Sequence, residues 1–318
     1  MTMANSSASS SGAESVPDAR RLAEDPRVRE VLARAPVLYS AVDTGRGPHV
    51  TPTAFSWSGG ALWVVTTRRS VKVRALRRRP AVGLLLRAGR HDLVLTGRAE
   101  LVDPVRLHGL GGPERMAGLP FTALRYLERN YKHVAGVLRD ATPGPALLLD
   151  RLALRIRPER AVLLRADGRA GISEMLATWG DWSDPEPESA PLSDPPAPEP
   201  VDPSLLPAAV RPLLRRAGPG CLAWPSRHGP LALPARWRGN GTPSDTDAAL
   251  LSLVGGWAGG PAGLALGSGG YRLASKRGVL IRGIGTARRD GVRALVDIAA
   301  NRLTHWEGEF SATVPVPA

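Results

Sequence analysis

Short apolar runs broken by glycine, proline and small polar residues dominate the first third of the chain. Residues 37–42 form one such run and residues 43–47, Asp-Thr-Gly-Arg-Gly, read as the turn after it. Residues 48–57 predict a second strand, Ser58-Gly59-Gly60 a tight turn and residues 61–67 a third strand. The period then changes. Residues 70–79 predict a short helix: Ser70 can cap it, Val73 and Leu76 share a face, and Pro80 ends it. Residues 81–86 and 93–102 predict two further strands, with a turn at 88–90. A helical lead-in over 18–35, interrupted at Pro26, precedes this meander. A mostly helical stretch over 104–141 follows, and strands at 146–156 and 161–164 close the first half.

Residues 181–202 carry seven acids, no Lys or Arg and many prolines, a composition that buries too little apolar surface to fold and predicts a linker. Beyond a helix expected over 204–217, the first pattern returns. Gly47-Pro-His-Val-Thr-Pro-Thr-Ala-Phe55 aligns with Gly229-Pro-Leu-Ala-Leu-Pro-Ala-Arg-Trp237, and the apolar run 37–42 with 220–224. Pro80-Ala-Val-Gly-Leu-Leu-Leu86 resembles Pro261-Ala-Gly-Leu-Ala-Leu266, and Leu93-Val-Leu-Thr-Gly97 resembles Val279-Leu-Ile-Arg-Gly283. Four matched blocks in one order predict two barrels in one chain. The expected organisation is a disordered tail over 1–17, a first barrel with the cofactor site over 18–180, an acidic Pro-rich linker over 181–203 and a degenerate repeat over 204–318.

Composition narrows the function classes. The net charge is +13 and the sequence pI about 11.1, a balance that invites a nucleic-acid reading. Three Lys against 39 Arg, with abundant Ala, Gly and Pro, point to compositional drift in a GC-rich genome. The aromatics are not interleaved with the arginines, as a nucleic-acid surface needs, and no nucleic-acid partner is expected. A single cysteine, Cys221, rules out an intrachain disulfide and a zinc-thiolate cluster and suits a reducing cytoplasm. No secretory signal or membrane helix is read, so no membrane partner is expected. The six histidines show no metal spacing.

The most informative stretch is Thr66-Thr-Arg-Arg-Ser-Val-Lys-Val-Arg-Ala-Leu-Arg-Arg-Arg-Pro80. A strand ends in hydroxyls and a helix begins at Ser70, where unpaired N–H groups and a partial positive charge favour a phosphate. Arg68, Arg69 and Lys72 add full charges around the first turn, whereas Arg77 to Arg79 read as a solvated basic face.

With the Gly-Pro-His-Val-Thr-Pro-Thr strand, the Pro-Ala-Val-Gly-Leu strand and Leu-Thr-Gly-Arg-Ala-Glu-Leu-Val, this stretch resembles the pyridoxamine 5′-phosphate oxidase-like, FMN-binding split-barrel superfamily. The resemblance covers residues 36–102 well and 146–164 loosely. It implies a split β-barrel with helices (α+β), duplicated in one chain, that binds FMN. It places the flavin ring against Val50, Thr51, Pro52 and Thr53, and the phosphate at Thr66, Thr67, Arg68, Arg69, Ser70, Val71 and Lys72. The family pairs barrels around the flavin, which here means an intrachain pseudo-dimer or a homodimer. The implied activity is an FMN-dependent oxidoreductase acting on a small molecule. A deazaflavin coenzyme on the same fold, or a non-catalytic flavin- or haem-binding protein, are the alternatives. The chain lacks the oxidase's C-terminal Arg and Trp segment in recognisable form, so pyridoxamine phosphate is not the expected substrate. Asp92 falls where the family often places an amide.

The second repeat has no Lys or Arg over 245–260, so no phosphate site of its own is expected there. His49 lies on the strand expected to pass the ring. His91, His108 and His133 are isolated, and Tyr126, Tyr131, Lys132 and His133 share one helical stretch. No side chain stands out as a catalytic acid or base. The Gly-rich 255–270 segment lacks Walker and Rossmann context and reads as a loop, and Cys221 as a buried small residue.

Overall fold

In the computed structural model the described residues are 19–103, 122–131, 135, 150–166, 173–182, 201–226, 228–239, 244–253, 259–267, 277–307 and 310–316. Helices α1 (Ala19–Glu24) and α2 (Pro26–Arg34) lead in. Asp25 caps α2, its Oδ1 accepting from Arg27 N at 2.8 Å, and Pro26 occupies the first turn, where its missing N–H costs nothing.

The first sheet contains β1 (Leu38–Asp43), β2 (Pro48–Thr53), β3 (Ser56–Ser58), β4 (Ala61–Thr67), β5 (Ala81–Ala88), β6 (His91–Val102), β7 (Arg151–Ala166) and β8 (Ser173–Trp179). Helix α3 (Val71–Arg78) joins β4 to β5. The strand order is β2-β1-β5-β6-β7-β4-β3, with β8 also on β7. Strand β7 is long enough to serve two neighbours on one edge. Residues 151–156 pair with β4, and residues 161–166 pair with β8.

The second sheet contains β9 (Gly218–Trp224), β10 (Leu231–Trp237), β11 (Ser244–Asp247), β12 (Gly260–Gly267), β13 (Arg277–Asp290), β14 (Arg293–Glu307) and β15 (Phe310–Pro315). Its order is β11-β10-β9-β12-β13-β14-β15, and a β11–β14 pairing closes six strands into a barrel. The first half repeats this order as β1-β2, β5-β6-β7 and β7-β4, but among the described residues no β2–β4 pair closes it. It is thus a split β-barrel with helices, and the two halves share one topology.

The ladders fix the correspondence between halves. Ala41 faces Gly83 and Val50, just as Ala223 faces Gly263 and Ala232. Both β6–β7 and β13–β14 carry a bulge before the matching glycine, Thr96/Gly97 and Arg282/Gly283. In each case a Cβ on the glycine would run into a strand carbonyl, of Arg157 or of Ala299, so the bulge needs glycine in both halves. This register corrects one block of the sequence alignment. Pro261 matches Ala81, not Pro80, because Gly83 and Gly263 are equivalent.

Three further expectations are corrected. Residues 204–217 do not form one helix. Pro203–Leu205 is a 3-10 turn and Arg211–Arg215 a short helix, since Pro207 and Pro212 cannot donate to a continuous ladder. Residues 146–156 and 161–164 are not two strands: the described part is the single strand β7, with Pro158 accommodated at the bulge. Gly260–Gly267 is strand rather than loop, because β9 and β13 pair it on both sides.

The core explains the uninterrupted apolar runs. Leu84 and Leu86 point into the first barrel with Leu38, Leu62, Leu93 and Leu95. Leu85, Ala41, Val50 and Val94 point the other way, into one cluster with Leu222, Ala232, Leu264 and Leu280 of the second barrel. A strand buried on both faces needs apolar residues at successive positions. The two barrels therefore pack within one chain. Among the described residues no helix is long and apolar enough to cross a membrane.

Candidate functional site

The β4–α3 junction is built as a helix start. Ser70 has extended backbone and its Oγ accepts from Val73 N at 3.2 Å, while Thr66 Oγ1 donates to Ser70 Oγ at 3.2 Å. Ser70 N donates to the Thr67 carbonyl at 3.1 Å. With N3 capped, Val71 and Lys72 present first-turn N–H groups that have no acceptor within the helix.

Lys72 is buried, 8% exposed, and its Nζ donates to Thr53 Oγ1 on β2. This bond joins the two halves of the sequence-derived site. Thr51, Pro52 and Thr53 are half-buried along β2, and Val50 is fully buried against the second barrel. On β2, His49, Thr51 and Thr53 share one face, and Val50 and Pro52 the other. Thr66, Thr67, Ser70 and Val71 are half-buried at the junction and Arg69 is exposed.

Arg68 is held differently. Its guanidinium makes a two-pronged pair with Asp103 at the end of β6, Nη2 lying 2.6 Å from Oδ1, and its backbone N donates to the Asp150 carbonyl at 2.8 Å. Hydrogen bonding to Asp103 raises the Arg68 pKa further. Asp103, at the far end of a strand from the motif in sequence, carried no signal of this partnership.

His49 is 8% exposed, and its Nδ1 has no hydrogen-bond partner. Burial, reinforced by the positive charges of Arg282 and Lys72, pulls its pKa down to about 3. Arg282 is on β13 of the second barrel. It also escaped the sequence reading, since only the packing of the barrels brings it to β2. Asp92 is buried and paired with Arg87 at 3.1 Å. His91 is half-buried at the start of β6, Tyr126 is buried and Tyr131 exposed, while His108, Lys132 and His133 lie outside the described residues. Among the described residues no group of three or more His, Cys, Asp or Glu could hold a metal.

The equivalent junction in the second half is acidic. The helix Ala248–Leu253 starts directly after β11, and Asp247 takes the capping role, Oδ1 accepting from Leu250 N at 2.9 Å. Asp245 is buried beside it and pairs with Arg238 at 2.8 Å. A carboxylate at the helix start repels a phosphate, so the two junctions differ in the sign of their charge.

No family model matches the chain, and no curated protein does. Several solved structures resemble it over less than half its length. An F420 reductase is 23% identical, with 41% of this chain and 92% of that one covered and a TM-score of 0.29. A FAD-binding protein from Mesorhizobium loti is 19% identical, with 42% and 88% covered and a TM-score of 0.32. The haem-storage protein HutZ from Vibrio cholerae is 16% identical, with 42% and 89% covered and a TM-score of 0.32.

Proposed function

We propose that the first barrel binds FMN and that the chain is a flavin-dependent oxidoreductase acting on a small molecule. The observation that carries this reading is the buried Lys72 ammonium bonded to Thr53, which sets a cation and a helix start against the strand expected to meet the ring. A phosphate at the same point would add a charge-assisted hydrogen bond to the buried ammonium. Lys72, Ser70, the Val71 and Lys72 N–H groups and the exposed charge of Arg69 would hold the phosphate. Arg68 is committed to Asp103 and would steady the junction from behind. Backbone groups of Val50 to Thr53 would meet the ring. The flavin supplies hydride chemistry when bound, and the chain's own part is to bind, orient and exclude water.

The second barrel serves as the wall against which the site is closed, its own junction being acidic. One flavin per chain is expected. A deazaflavin coenzyme would use the same anchor. The test is titration of the purified protein with FMN, followed by its visible absorption spectrum. A flavin spectrum at one equivalent supports the reading. Failure to take up FMN, or two equivalents per chain, overturns it, and bands of a deazaflavin or haem reassign the cofactor.

A further inference from the structure

The contact between the barrels holds positive charge that packing alone does not require. Arg282 has an Nε without any hydrogen-bond partner, and its Nη2 reaches only Thr304 Oγ1 at 3.4 Å. Burial, with repulsion from Arg302 and Arg46, lowers its pKa. Among the described residues none of Arg46, Arg282 and Arg302 forms an ion pair. A Cβ placed on Gly263 would lie 3.2 Å from the Pro48 carbonyl oxygen and 3.6 Å from Arg282 Cγ. The Arg282 stem therefore lies by Pro48 at the start of β2, close enough for its charge to act on His49, whose buried Nδ1 is unpartnered. Unsatisfied buried polar atoms are rare, and here two lie on facing strands of different barrels.

The pseudo-two-fold relation between the barrels supplies the control. It exchanges His49 with Leu231 and Arg282 with Thr96. On that side the same packing is made by a fully buried leucine and an uncharged threonine. Arg282 and His49 therefore have no titratable counterpart there, although Arg160 lies opposite Thr96 as Arg302 lies opposite Arg282, and Thr96 Oγ1 also lacks a partner.

We propose that Arg282, supported by Arg302 and Arg46, forms an oxyanion subsite between the barrels beside His49 and receives the carboxylate or phosphate of a small-molecule substrate. Its role as a substrate subsite rests on the flavin reading above, whereas the anion site itself rests on Arg282 and its neighbours alone. An oxyanion on the Arg282 guanidinium relieves the repulsion among the three guanidinium groups. Arginine's fork suits either ligand, so the choice between them is made by titration.

The experiment is calorimetric titration of the full chain with inorganic phosphate and, separately, acetate, with and without saturating FMN. The variants are Arg282→Met, Arg282→Lys and Lys72→Met, each checked for native circular dichroism. With FMN bound, wild type is expected still to take one oxyanion. Arg282→Met is expected to weaken it by about tenfold or more, Arg282→Lys and Lys72→Met by less than about threefold. The stronger of the two probes identifies the substituent. Oxyanion affinity unchanged in Arg282→Met overturns the proposal, as does binding abolished by FMN and by Lys72→Met, which would reduce it to the cofactor's phosphate site. If the chain takes no FMN, the flavin-free titration still decides: loss at Arg282→Met keeps the anion site while the cofactor reading fails.

Discussion

Gly83 lies against the Pro230 carbonyl so closely that no Cβ fits between them. Gly83 sits on β5 of the first barrel, and Pro230 immediately precedes β10 of the second. On the opposite side of the pseudo-two-fold axis, Gly263 approaches the Pro48 carbonyl more loosely, with 3.2 Å left for a Cβ. The flanking turns repeat the relation. Gly47 and Gly229 both have left-handed backbones, at φ 96° and 102°, and meet Pro261 and Ala81 of the facing barrel. Gly83→Ala must push backbone against backbone and is expected to cost about 2–4 kcal/mol, while Gly263→Ala costs less than about 1.5 kcal/mol. Urea denaturation of the two variants checks this ordering, and equal midpoints would show that the barrels are not held at this distance in solution.

The strands that alternate cleanly or sit between strong turn signals were legible, and so was helix α3 with its Ser70 cap. What was lost has particular causes. Strand β8 was not read because its residues lie at a sheet margin, with Glu174 and Met175 exposed, so burial imposes little pattern. Strand β7 read as two because Pro158 looks like a stop, although the bulge opposite Gly97 lets it remain in the ladder. The one-residue slip between Pro80 and Pro261 arose because a repeated proline outweighed a repeated glycine. At the candidate site, Ser70 and Lys72 belong to one helix turn, so their proximity is legible in the local sequence. The pairing of Asp103 with Arg68 and the influence of Arg282 on His49 depend on strand register and barrel packing, which no local pattern encodes.

Lys72 and Arg78 lie on the same helix but in different surroundings. Lys72 is buried and bonded to Thr53, and Arg78 is exposed. If the helix start binds the cofactor phosphate, Lys72→Ala should weaken FMN binding by about tenfold or more, and Arg78→Ala by less than about twofold. Fluorescence titration with FMN measures both. Equal losses would mean that the bulk charge of the helix, and not its first turn, attracts the flavin.

Arg87 ties the barrels together through a buried acid. It pairs with Asp92, which is 3% exposed, and its Nη1 lies 3.3 Å from the Gly220 carbonyl of β9. Removing the cation strands a buried carboxylate. Arg87→Met is therefore expected to cost about 3–5 kcal/mol, and adding Asp92→Leu should restore much of it. Thermal unfolding of the two single variants and the double variant closes the cycle. A double variant no more stable than Arg87→Met would place the loss in the Gly220 contact.

Cys221 should be inert until the chain unfolds. It is fully buried on β9, in the cluster shared by both barrels, and burial pushes its thiol well above the usual range. Only a thiolate reacts appreciably with disulfide reagents. The thiol count with such a reagent should be near zero in native buffer and one per chain in denaturant. Rapid labelling of the native protein would require the shared core to open locally.

His49 gives the fold a defined acid sensitivity. Its folded pKa is held near 3, while an unfolded histidine titrates near 6.5. Above pH 6.5 both states are neutral there and the residue adds no slope. Between 6.5 and 3 the unfolded chain takes up a proton that the folded chain refuses, so stability falls as the pH falls, by up to about 1.4 kcal/mol per pH unit. Between pH 7 and pH 5 wild type should lose about 2 kcal/mol more than His49→Gln, whose side chain does not titrate. Urea midpoints at the two pH values measure this difference. Saturating phosphate should flatten the wild-type slope only in part, because an anion beside Arg282 counters the contribution of that charge while burial, the larger cause, remains. Parallel curves for wild type and His49→Gln would show that the imidazole reaches solvent in the folded protein.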